Sequence, residues 1–347
     1  MKTTIKDIAK ETGLSVTTIS LVLNNKPNRI SQKTKELIIQ TAEKMSYRPN
    51  QMAIGLVKKE TKIIGLIIPD ISNYFFSEIA LGVDEEAHKN HRSIIISNTN
   101  DHCERDLYNI ELLYARGVDA IILSMASDID DKKKSKYNEL LSRINIPIIL
   151  VDRYDPLLNY SSITLNNRKA AYSATKYLLE LGHRKIACIT GPSKLLSSNE
   201  RLEGYAWAYQ EYNIPVDKNY IFESNYFHTG GFEAAAEIIK TDATAVFAFN
   251  DMMALGAIQY FHKNGYDIPG DYSVVGFDDI YFSEILEVPL TTVRQPAYLM
   301  GCEAVKRALF EIQNHNSPKQ NISFDADLIP RKSTSHPYGS SVEVRVD

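Results

Sequence analysis

Residues 4–24 read TIKDIAKETGLSVTTISLVLN, and this stretch decides how the amino-terminal end of the chain folds. Thr4, followed three residues later by Asp7, is the pattern of a capping box at a helix start. The apolar residues of this helix have the i, i+3, i+4 spacing of one helical face, and they are Ile5, Ile8 and Ala9. Gly13 ends the helix, and Ser15 is a favourable N-cap for a second one. Two short helices joined by a tight turn with glycine predict a helix-turn-helix, a motif whose second helix enters the major groove of DNA.

The second and third helices have inward faces of the same kind. In the second helix the inward residues are Ile19, Val22 and Leu23. Ser31 caps a third amphipathic helix, whose inward residues are Leu37, Ile38, Thr41 and Met45. Because a helical hairpin in a larger bundle can share this pattern, the charge of the segment is needed to interpret it.

Charge is distributed unevenly along the chain. Residues 1–60 contain 11 Lys and Arg against 5 Asp and Glu, a net charge of +6, whereas the whole chain carries −4. The remaining residues therefore carry −10. A cationic head suits contact with DNA phosphates, and an anionic body is repelled by them. Helical pattern and charge together indicate a DNA-binding headpiece.

Length and composition exclude several classes of protein. The 347 residues are enough for two or three domains. No apolar segment of a signal peptide follows Met1, and no run of eighteen apolar residues predicts a membrane span. Three cysteines, Cys103, Cys188 and Cys302, are widely separated, so we expect reduced, buried side chains rather than a disulfide or a metal site. These features predict a cytoplasmic protein.

Beyond the polar residues 58–60, apolar runs alternate with helical patterns. The first set of strands is expected at 63–69, 93–97, 120–123 and 146–151, and the second at 163–165, 185–190, 220–223, 245–249 and 273–276. Helices are expected near 74–91, 103–116, 135–143, 167–181, 198–212, 230–240 and 251–264. Continuous apolar strands between helices predict parallel sheets that are covered on both faces. We therefore predict an α/β fold in which two doubly wound lobes face each other, with a ligand cleft beyond the carboxyl ends of their strands.

The predicted domains follow from this alternation. They are a helix-turn-helix headpiece at 1–50, a hinge helix and linker at 51–61, a first lobe at 62–158 plus 291–320, a second lobe at 159–290 plus 321–334, and a tail at 335–347. Segment 291–295 and a helix near 297–314 are expected to return to the first lobe. The tail has no leucine heptad that would predict a tetramer.

The motifs of common enzyme classes are missing from the sequence. There is no GxGxxG after the first strand, no GxxxxGK[ST], no HExxH and no GxSxG. We therefore expect no catalytic residue, no cofactor and no metal site.

Polar and aromatic side chains recur where the predicted strands end. Carboxylate, guanidinium and amide groups around aromatic side chains suit a polyhydroxylated ligand such as a sugar. The aromatic side chains stack on the C–H surface of the ligand, and the polar groups bind its hydroxyls. The candidate ligand-binding residues are Asn73, Phe75, Phe76, Asp152, Arg153, Arg201, Phe227, Asn250, Asp278 and Gln295.

Residues 4–24, together with the Tyr-Arg-Pro-Asn run at 47–50, resemble the headpiece of the lactose-repressor/galactose-repressor (LacI/GalR) family of bacterial transcription regulators, and the similarity continues to about residue 334. The resemblance implies a periplasmic-binding-protein-like core, a homodimer on a pseudo-palindromic operator, and a small-molecule effector in the cleft. The cleft residues resemble those of the ribose-binding branch, which implies a pentose or a similar small sugar and a repressor of a carbohydrate-utilisation operon. Two alternatives stay open: a purine effector, and a global catabolite-type regulator gated by a phosphoprotein co-regulator.

The same resemblance implies which headpiece residues contact DNA. Val16 and Thr17 would face bases. Phosphate contacts would come from Ser15, Thr18, Ser20, Asn24, Ser31, Thr34, Tyr47 and Asn50. Leu21 stands where many family members have arginine, so a guanine contact is missing there. In the hinge, Ala53 and Leu56 would contact DNA, and Leu56 matches a leucine that wedges into the minor groove.

Overall fold

The computed structural model describes residues 3–24, 29–47 and 60–337. The chain divides into two compact units, Met1–Thr61 and Lys62–Asp347. No helix in the described ranges is long and apolar enough to cross a membrane. The cysteines Cys103, Cys188 and Cys302 are all buried and unpaired, as the sequence predicted.

The first unit contains three helices within its described residues, α1 (Ile5–Thr12), α2 (Val16–Leu23) and α3 (Gln32–Lys44). The predicted caps are present: the Asp7 carboxylate accepts the Thr4 N–H at 2.8 Å, and Ser15 and Ser31 each accept the backbone N–H three residues on. Gly13 forms the turn with φ of +68°. The core of this unit consists of Ile8, Ile19, Val22, Ile38 and Ala42.

One inward residue of α3 was predicted wrongly. Leu37 is 48% exposed, and Ala42 takes its place in the core. The buried stripe of α3 runs from Ile38 through Thr41 and Ala42 towards Met45, which is the i, i+3, i+4, i+7 spacing of one face. Leu37 precedes Ile38 by one residue and so lies about 100° away around the helix axis.

The second unit has two lobes, each built on a six-stranded sheet within the described residues. The strands of the first lobe are β1 (Ile63–Ile68), β2 (Ser93–Asn98), β3 (Ala120–Leu123), β4 (Ile148–Val151), β5 (Ser161–Leu165) and β11 (Asn321–Phe324). Their order is β11-β5-β4-β3-β1-β2, and all neighbours are parallel. Its helices are α4 (Tyr74–Lys89), α5 (Cys103–Ala115), α6 (Asp131–Leu141) and α12 (Ala297–Gln313).

The second lobe has the same architecture with one antiparallel edge. Its strands are β6 (Ile186–Thr190), β7 (Ile221–Glu223), β8 (Ala245–Ala248), β9 (Ser273–Asp278), β10 (Thr291–Arg294) and β12 (Asp327–Ile329), in the order β12-β10-β9-β8-β6-β7. Only the β10–β12 pair is antiparallel among the described strands. Its helices are α7 (Asn167–Glu180), α8 (Leu196–Glu211), α9 (His228–Ile238), α10 (Asp251–Lys263) and the short α11 (Tyr281–Ile285), with a 3-10 turn at Lys218–Tyr220. The predicted α/β fold with two doubly wound lobes is confirmed.

The lobe boundaries predicted at 158/159, 290/291 and 320/321 are wrong. Strand β5 pairs with β4 in the first sheet, although the sequence placed it in the second lobe. Strand β10 pairs with β9 in the second sheet, and β11 pairs with β5 in the first, each again opposite to the prediction. At each of the three crossings, the chain therefore passes from one lobe to the other one strand later than predicted. The reason is that a strand such as β5, buried on both faces, has the same hydrophobic pattern in either sheet, and only its hydrogen-bonded neighbour decides which sheet it joins.

Most predicted helices and strands are present, and their ends differ by a few residues. The largest shift is at α6, predicted at 135–143 and observed at Asp131–Leu141. It begins earlier because the Asp130 carboxylate accepts the Lys133 N–H at 2.8 Å and caps the helix there. Helix α11 was not predicted, since its five residues are too few to display a helical period.

Candidate functional site

A cavity lies between the two lobes, where the carboxyl ends of strands from both sheets meet. Asp152 follows β4, Asn250 follows β8, and Asp278 ends β9. The residues that line the cavity are Asn73, Phe75, Phe76, Asp152, Arg153, Ser197, Arg201, Tyr226, Asn250, Asp278 and Gln295. The structure thus brings together every candidate ligand-binding residue named from the sequence except Phe227, and it adds Ser197 and Tyr226.

The first lobe contributes aromatic side chains through the start of α4. The Asn73 side chain caps this helix by accepting the Phe75 N–H at 3.1 Å. The cap holds Phe75 and Phe76 in the first turn, where their rings pack edge to face with centroids 5.2 Å apart. Both rings are buried in the core of the first lobe, so the wall that they form is rigid.

Arg153 connects the two lobes across the cavity. Its Nη1 donates to Asp101 Oδ1 at 2.5 Å and to the Met125 carbonyl oxygen at 3.3 Å. Its guanidinium lies 5.5 Å from the ring centre of Phe76 in the first lobe and 5.7 Å from that of Tyr226 in the second. Burial by itself would raise the pKa of Asp101. The Arg153 guanidinium and hydrogen bonds from Ser127 have the larger effect and lower this pKa.

Arg201 is the buried cation of the second lobe. It donates from Nε to Asn167 Oδ1 at 2.8 Å and from Nη1 to the Phe249 carbonyl oxygen. Its guanidinium stacks on Phe277, 3.7 Å from the ring centre. Because these contacts reach α7, strand β9 and the residue that follows β8, Arg201 supports the lobe as well as facing the cavity.

Asn250, Asp278 and Gln295 form the floor on the second lobe. Asn250 caps α10 by accepting the Met253 N–H at 2.9 Å, and its Nδ2 donates to the Tyr226 carbonyl oxygen at 2.9 Å. Gln295 Nε2 donates to Asp278 Oδ1 at 2.6 Å. These bonds orient the polar groups before any ligand is present.

Burial dominates the ionisation of the two carboxyl groups in the cavity. It raises the pKa of Asp152, although Arg153 and Arg201 act in the opposite direction. It raises the pKa of Asp278 well above the ordinary range, with Arg201 again opposing and the Asp251 carboxylate adding to the shift. A ligand group that donates hydrogen bonds to these oxygens would stabilise their charged forms.

Tyr226 is the main residue that the sequence analysis missed. It follows β7 with φ of +66°, and its ring packs so closely on Gly191 that a Cβ there would overlap it. The prediction named the adjacent Phe227, which caps α9, is 44% exposed and instead lines a neighbouring pocket with Asp70 and Met252. The left-handed backbone at Tyr226 decides which of the two aromatic side chains enters the cavity, and a sequence pattern does not predict such a backbone.

Two buried polar atoms in the cavity have no hydrogen-bond partner within the described part of the chain: the Tyr226 hydroxyl and Gln295 Oε1. A buried polar atom without a partner costs about 1–3 kcal/mol, so it usually faces a ligand or an ordered water. Both atoms are therefore available to a bound molecule.

The headpiece presents part of its predicted DNA-contacting residues at the starts of α2 and α3. Val16 and Thr17, in the first turn of α2, are exposed. The Ser15 and Thr18 hydroxyls lie 2.8 Å apart, and Ser31 and Thr34 repeat this arrangement at α3. Asn24 Nδ2 donates to the Ser20 carbonyl oxygen, and Leu21 and Tyr47 are half-buried. Predicted contacts at Asn50, Ala53 and Leu56 lie outside the described residues.

Comparisons with known proteins give matches over nearly the whole chain. Residues 4–50 match the lacI family of bacterial regulatory proteins, and residues 175–334 match a periplasmic binding protein-like domain. The HTH-type transcriptional regulator DegA of Bacillus subtilis (strain 168) is 36% identical, over 96% of this chain and 99% of its own.

Solved structures give matches of the same kind. The lac repressor dimer bound to operator and the anti-inducer ONPF has a TM-score of 0.83 at 27% identity, covering 96% of this chain and 100% of that one. A LacI family transcriptional regulator from Enterococcus faecium with bound ribose has a TM-score of 0.71 at 28% identity, covering 79% and 99%.

Proposed function

Because the chain belongs to the LacI family of DNA-binding transcription regulators, we propose that it represses a carbohydrate-utilisation operon and that a small sugar in the cleft controls its operator binding. The cleft carries this proposal. The carboxyl groups of Asp152 and Asp278 and the guanidinium of Arg201 share one cavity with the rings of Phe76 and Tyr226. Carboxyl and guanidinium groups beside aromatic rings suit a pentose or a similar sugar.

The protein acts as a homodimer in the cytoplasm, with two headpieces on a pseudo-palindromic operator. Hydroxyl and amide groups at the starts of α2 and α3 set the register on phosphates, while Val16 and Thr17 face the bases. In the hinge, Ala53 and Leu56 contact DNA, and Leu56 does so in the minor groove. The chain acts by binding, and we assign it no catalytic step.

A ligand acts on the operator through the two lobes. Asn73, Phe75 and Phe76 come from the first lobe, whereas Arg201, Asn250 and Asp278 come from the second. A sugar that contacts both sets binds the closed arrangement more tightly and so shifts the population towards it. Closure changes the spacing of the two first lobes in the dimer and with it the pairing of the hinge segments.

The proposal is tested by measuring ligand and operator binding on three proteins: the wild type, Asp278→Asn, and Glu233→Gln as a control at an exposed site on α9. Pentoses, hexoses and purines are screened by thermal shift, and each hit is then titrated against operator-bound protein by fluorescence anisotropy. We expect a sugar to stabilise the wild type and the control and to release the operator from both. Asp278→Asn should melt normally and bind operator normally, but lose about thirtyfold or more in sugar affinity, because it removes a charged partner from a desolvated site.

Other results would point elsewhere. Wild-type sugar affinity in Asp278→Asn would remove this residue from the site. Stabilisation by a purine alone would favour the purine-responsive alternative. No small-molecule hit, together with a phosphoprotein that raises operator affinity, would favour the co-regulator alternative.

A further inference from the structure

Both guanidinium groups of the cleft bind groups of the protein itself. Arg153 Nη1 is shared between Asp101 Oδ1 and the Met125 carbonyl oxygen. Arg201 uses Nε for Asn167 and Nη1 for the Phe249 carbonyl oxygen. A phosphate is normally held by an arginine that presents two parallel N–H groups to it. In Arg201, one member of each possible pair, Nη1 with Nη2 and Nε with Nη2, is already bonded. In Arg153 the Nη1 with Nη2 pair is used in the same way, and the Nε side faces the Asp152 carboxylate, whose Oδ2 lies 3.9 Å from Nε.

The cavity is instead rich in hydrogen-bond acceptors. Gln295 Oε1 has no partner among the described residues, and the Tyr226 hydroxyl, which also accepts, has none either. The Asp152 carboxylate lies 3.9 Å from Arg153 Nε, beyond hydrogen-bond distance. Gln295 Nε2 binds one oxygen of Asp278. A ligand that fits these groups must donate several hydrogen bonds, which hydroxyl groups do and a phosphate dianion does not.

The charge of the cluster leads to the same conclusion. The cluster contains three carboxyl groups, those of Asp101, Asp152 and Asp278, and two guanidinium groups, those of Arg153 and Arg201. None of the eleven described residues that line the cavity is Lys or His. In their ionised forms, the three carboxylates outnumber the two guanidinium groups by one. No positive charge is left over to pair with an anionic group in this desolvated site.

We propose that the effector is an uncharged polyol in its unphosphorylated form, whose hydroxyl groups donate to Asp152, Asp278 and Gln295, and that the cleft rejects the phosphate ester of the same molecule. This inference rests on the proposed function, since it specifies the charge of the ligand in that site. The inference also gives the effector a place in a reaction sequence. The repressor senses the sugar before a kinase transfers a phosphoryl group to one of its hydroxyls.

Matched pairs of ligands test the proposal on the full-length wild type. The probes are ribose and ribose 5-phosphate, glucose and glucose 6-phosphate, and mannitol and mannitol 1-phosphate, each titrated by calorimetry without DNA and by anisotropy with operator at one fixed ionic strength. We expect at least one uncharged member to bind and to release the operator. Its phosphate should bind about a hundredfold more weakly or not at all, because juxtaposed like charges cost several kcal/mol.

The outcomes separate the two proposals. A phosphorylated member that binds as tightly as its parent, or more tightly, and releases the operator overturns the charge inference and leaves the proposed function standing. If no member of any pair binds and the wider screen of pentoses and hexoses also gives no ligand, both proposals are wrong.

A variant distinguishes charge from size as the cause of the discrimination. Asp152→Asn removes one negative charge and preserves the shape of the side chain, so the ratio of the two affinities should fall by about tenfold or more. Glu233→Gln, at an exposed position, should leave the ratio unchanged. If Asp152→Asn keeps the wild-type ratio, the phosphate is excluded by lack of space, and the electrostatic inference is overturned.

Discussion

Three residues that line the cleft have a left-handed backbone although none is glycine. Asp152, Tyr226 and Asp278 have φ of +63°, +66° and +118°. Such conformations cost of order 1–3 kcal/mol each and persist only where surrounding contacts enforce them. Here the Asp152 N–H donates to the Ile163 carbonyl oxygen, the Tyr226 carbonyl oxygen accepts from Asn250, and Asp278 accepts from Gln295. The strain aims these three side chains into one cavity.

Asp106 is a buried acid elsewhere in the first lobe. One of its oxygens accepts from the Tyr137 hydroxyl and the Ala126 N–H, and the other has no partner in the described ranges. Burial raises its pKa to about 6. The folded state therefore holds this proton more tightly than the unfolded state, and the stability that the group contributes is lost as the pH rises from about 4 through 6.

We expect the free energy of unfolding of Asp106→Asn, relative to the wild type, to increase by about 1–2 kcal/mol between pH 5 and pH 7, because the amide does not titrate. Urea denaturation of both proteins at each pH measures the difference. Asp84→Asn, at an exposed site on α4, should show no such trend. A constant difference between Asp106→Asn and the wild type across this range would contradict the prediction.

At the scale of elements, helices α4 and α12 approach each other closely enough to need glycine on both sides. A Cβ at Gly82 would overlap the Tyr298 carbonyl oxygen, and a Cβ at Gly301 would overlap that of Ile79. Because α4 begins at the cleft, this contact also positions Phe75 and Phe76. The packing of two helices is thus linked directly to the geometry of the site.

Gly301→Ala should lower the free energy of unfolding by about 1–3 kcal/mol, as overpacking in a tight core does. The direction is informative, since alanine in a helix interior is otherwise favoured over glycine by about 1 kcal/mol. Chemical denaturation measures the effect, with Lys306→Ala on the exposed face of α12 as the control. A Gly301→Ala protein more stable than the wild type would show that the two helices are not in close contact.

At the scale of the whole molecule, charge is divided between the ends of the chain. Residues 1–60 carry +6 and the remainder −10, so contact with DNA is confined electrostatically to the headpiece.

Operator affinity should fall by about a thousandfold or more between 50 and 200 mM salt, because a dimer that neutralises about six to ten phosphates releases their counterions. Anisotropy titrations over this range give the slope of log affinity against log salt. Sugar affinity, measured without DNA, is the internal control and should change little, since the proposed ligand is uncharged. A flat operator profile would be incompatible with binding through the headpiece.

The sequence by itself determined the local features of this protein. The caps at Thr4, Ser15 and Ser31 depend on residues three positions apart, so their pattern alone was sufficient. Most of the cleft residues were also predictable, because the carboxyl ends of parallel strands meet at one edge and the polar residues there stand out against apolar strands.

Only the tertiary structure decided which elements and side chains come together. Strand β5 has the same apolar pattern whichever sheet it joins, and its backbone hydrogen bonds to β4 place it in the first. Tyr226 and Phe227 are adjacent aromatic residues, and a positive φ held by the contact with Asn250 turns the first into the cavity. Periodicity and spacing describe neighbours along the chain, whereas sheet membership and backbone strain are set by residues far apart in sequence.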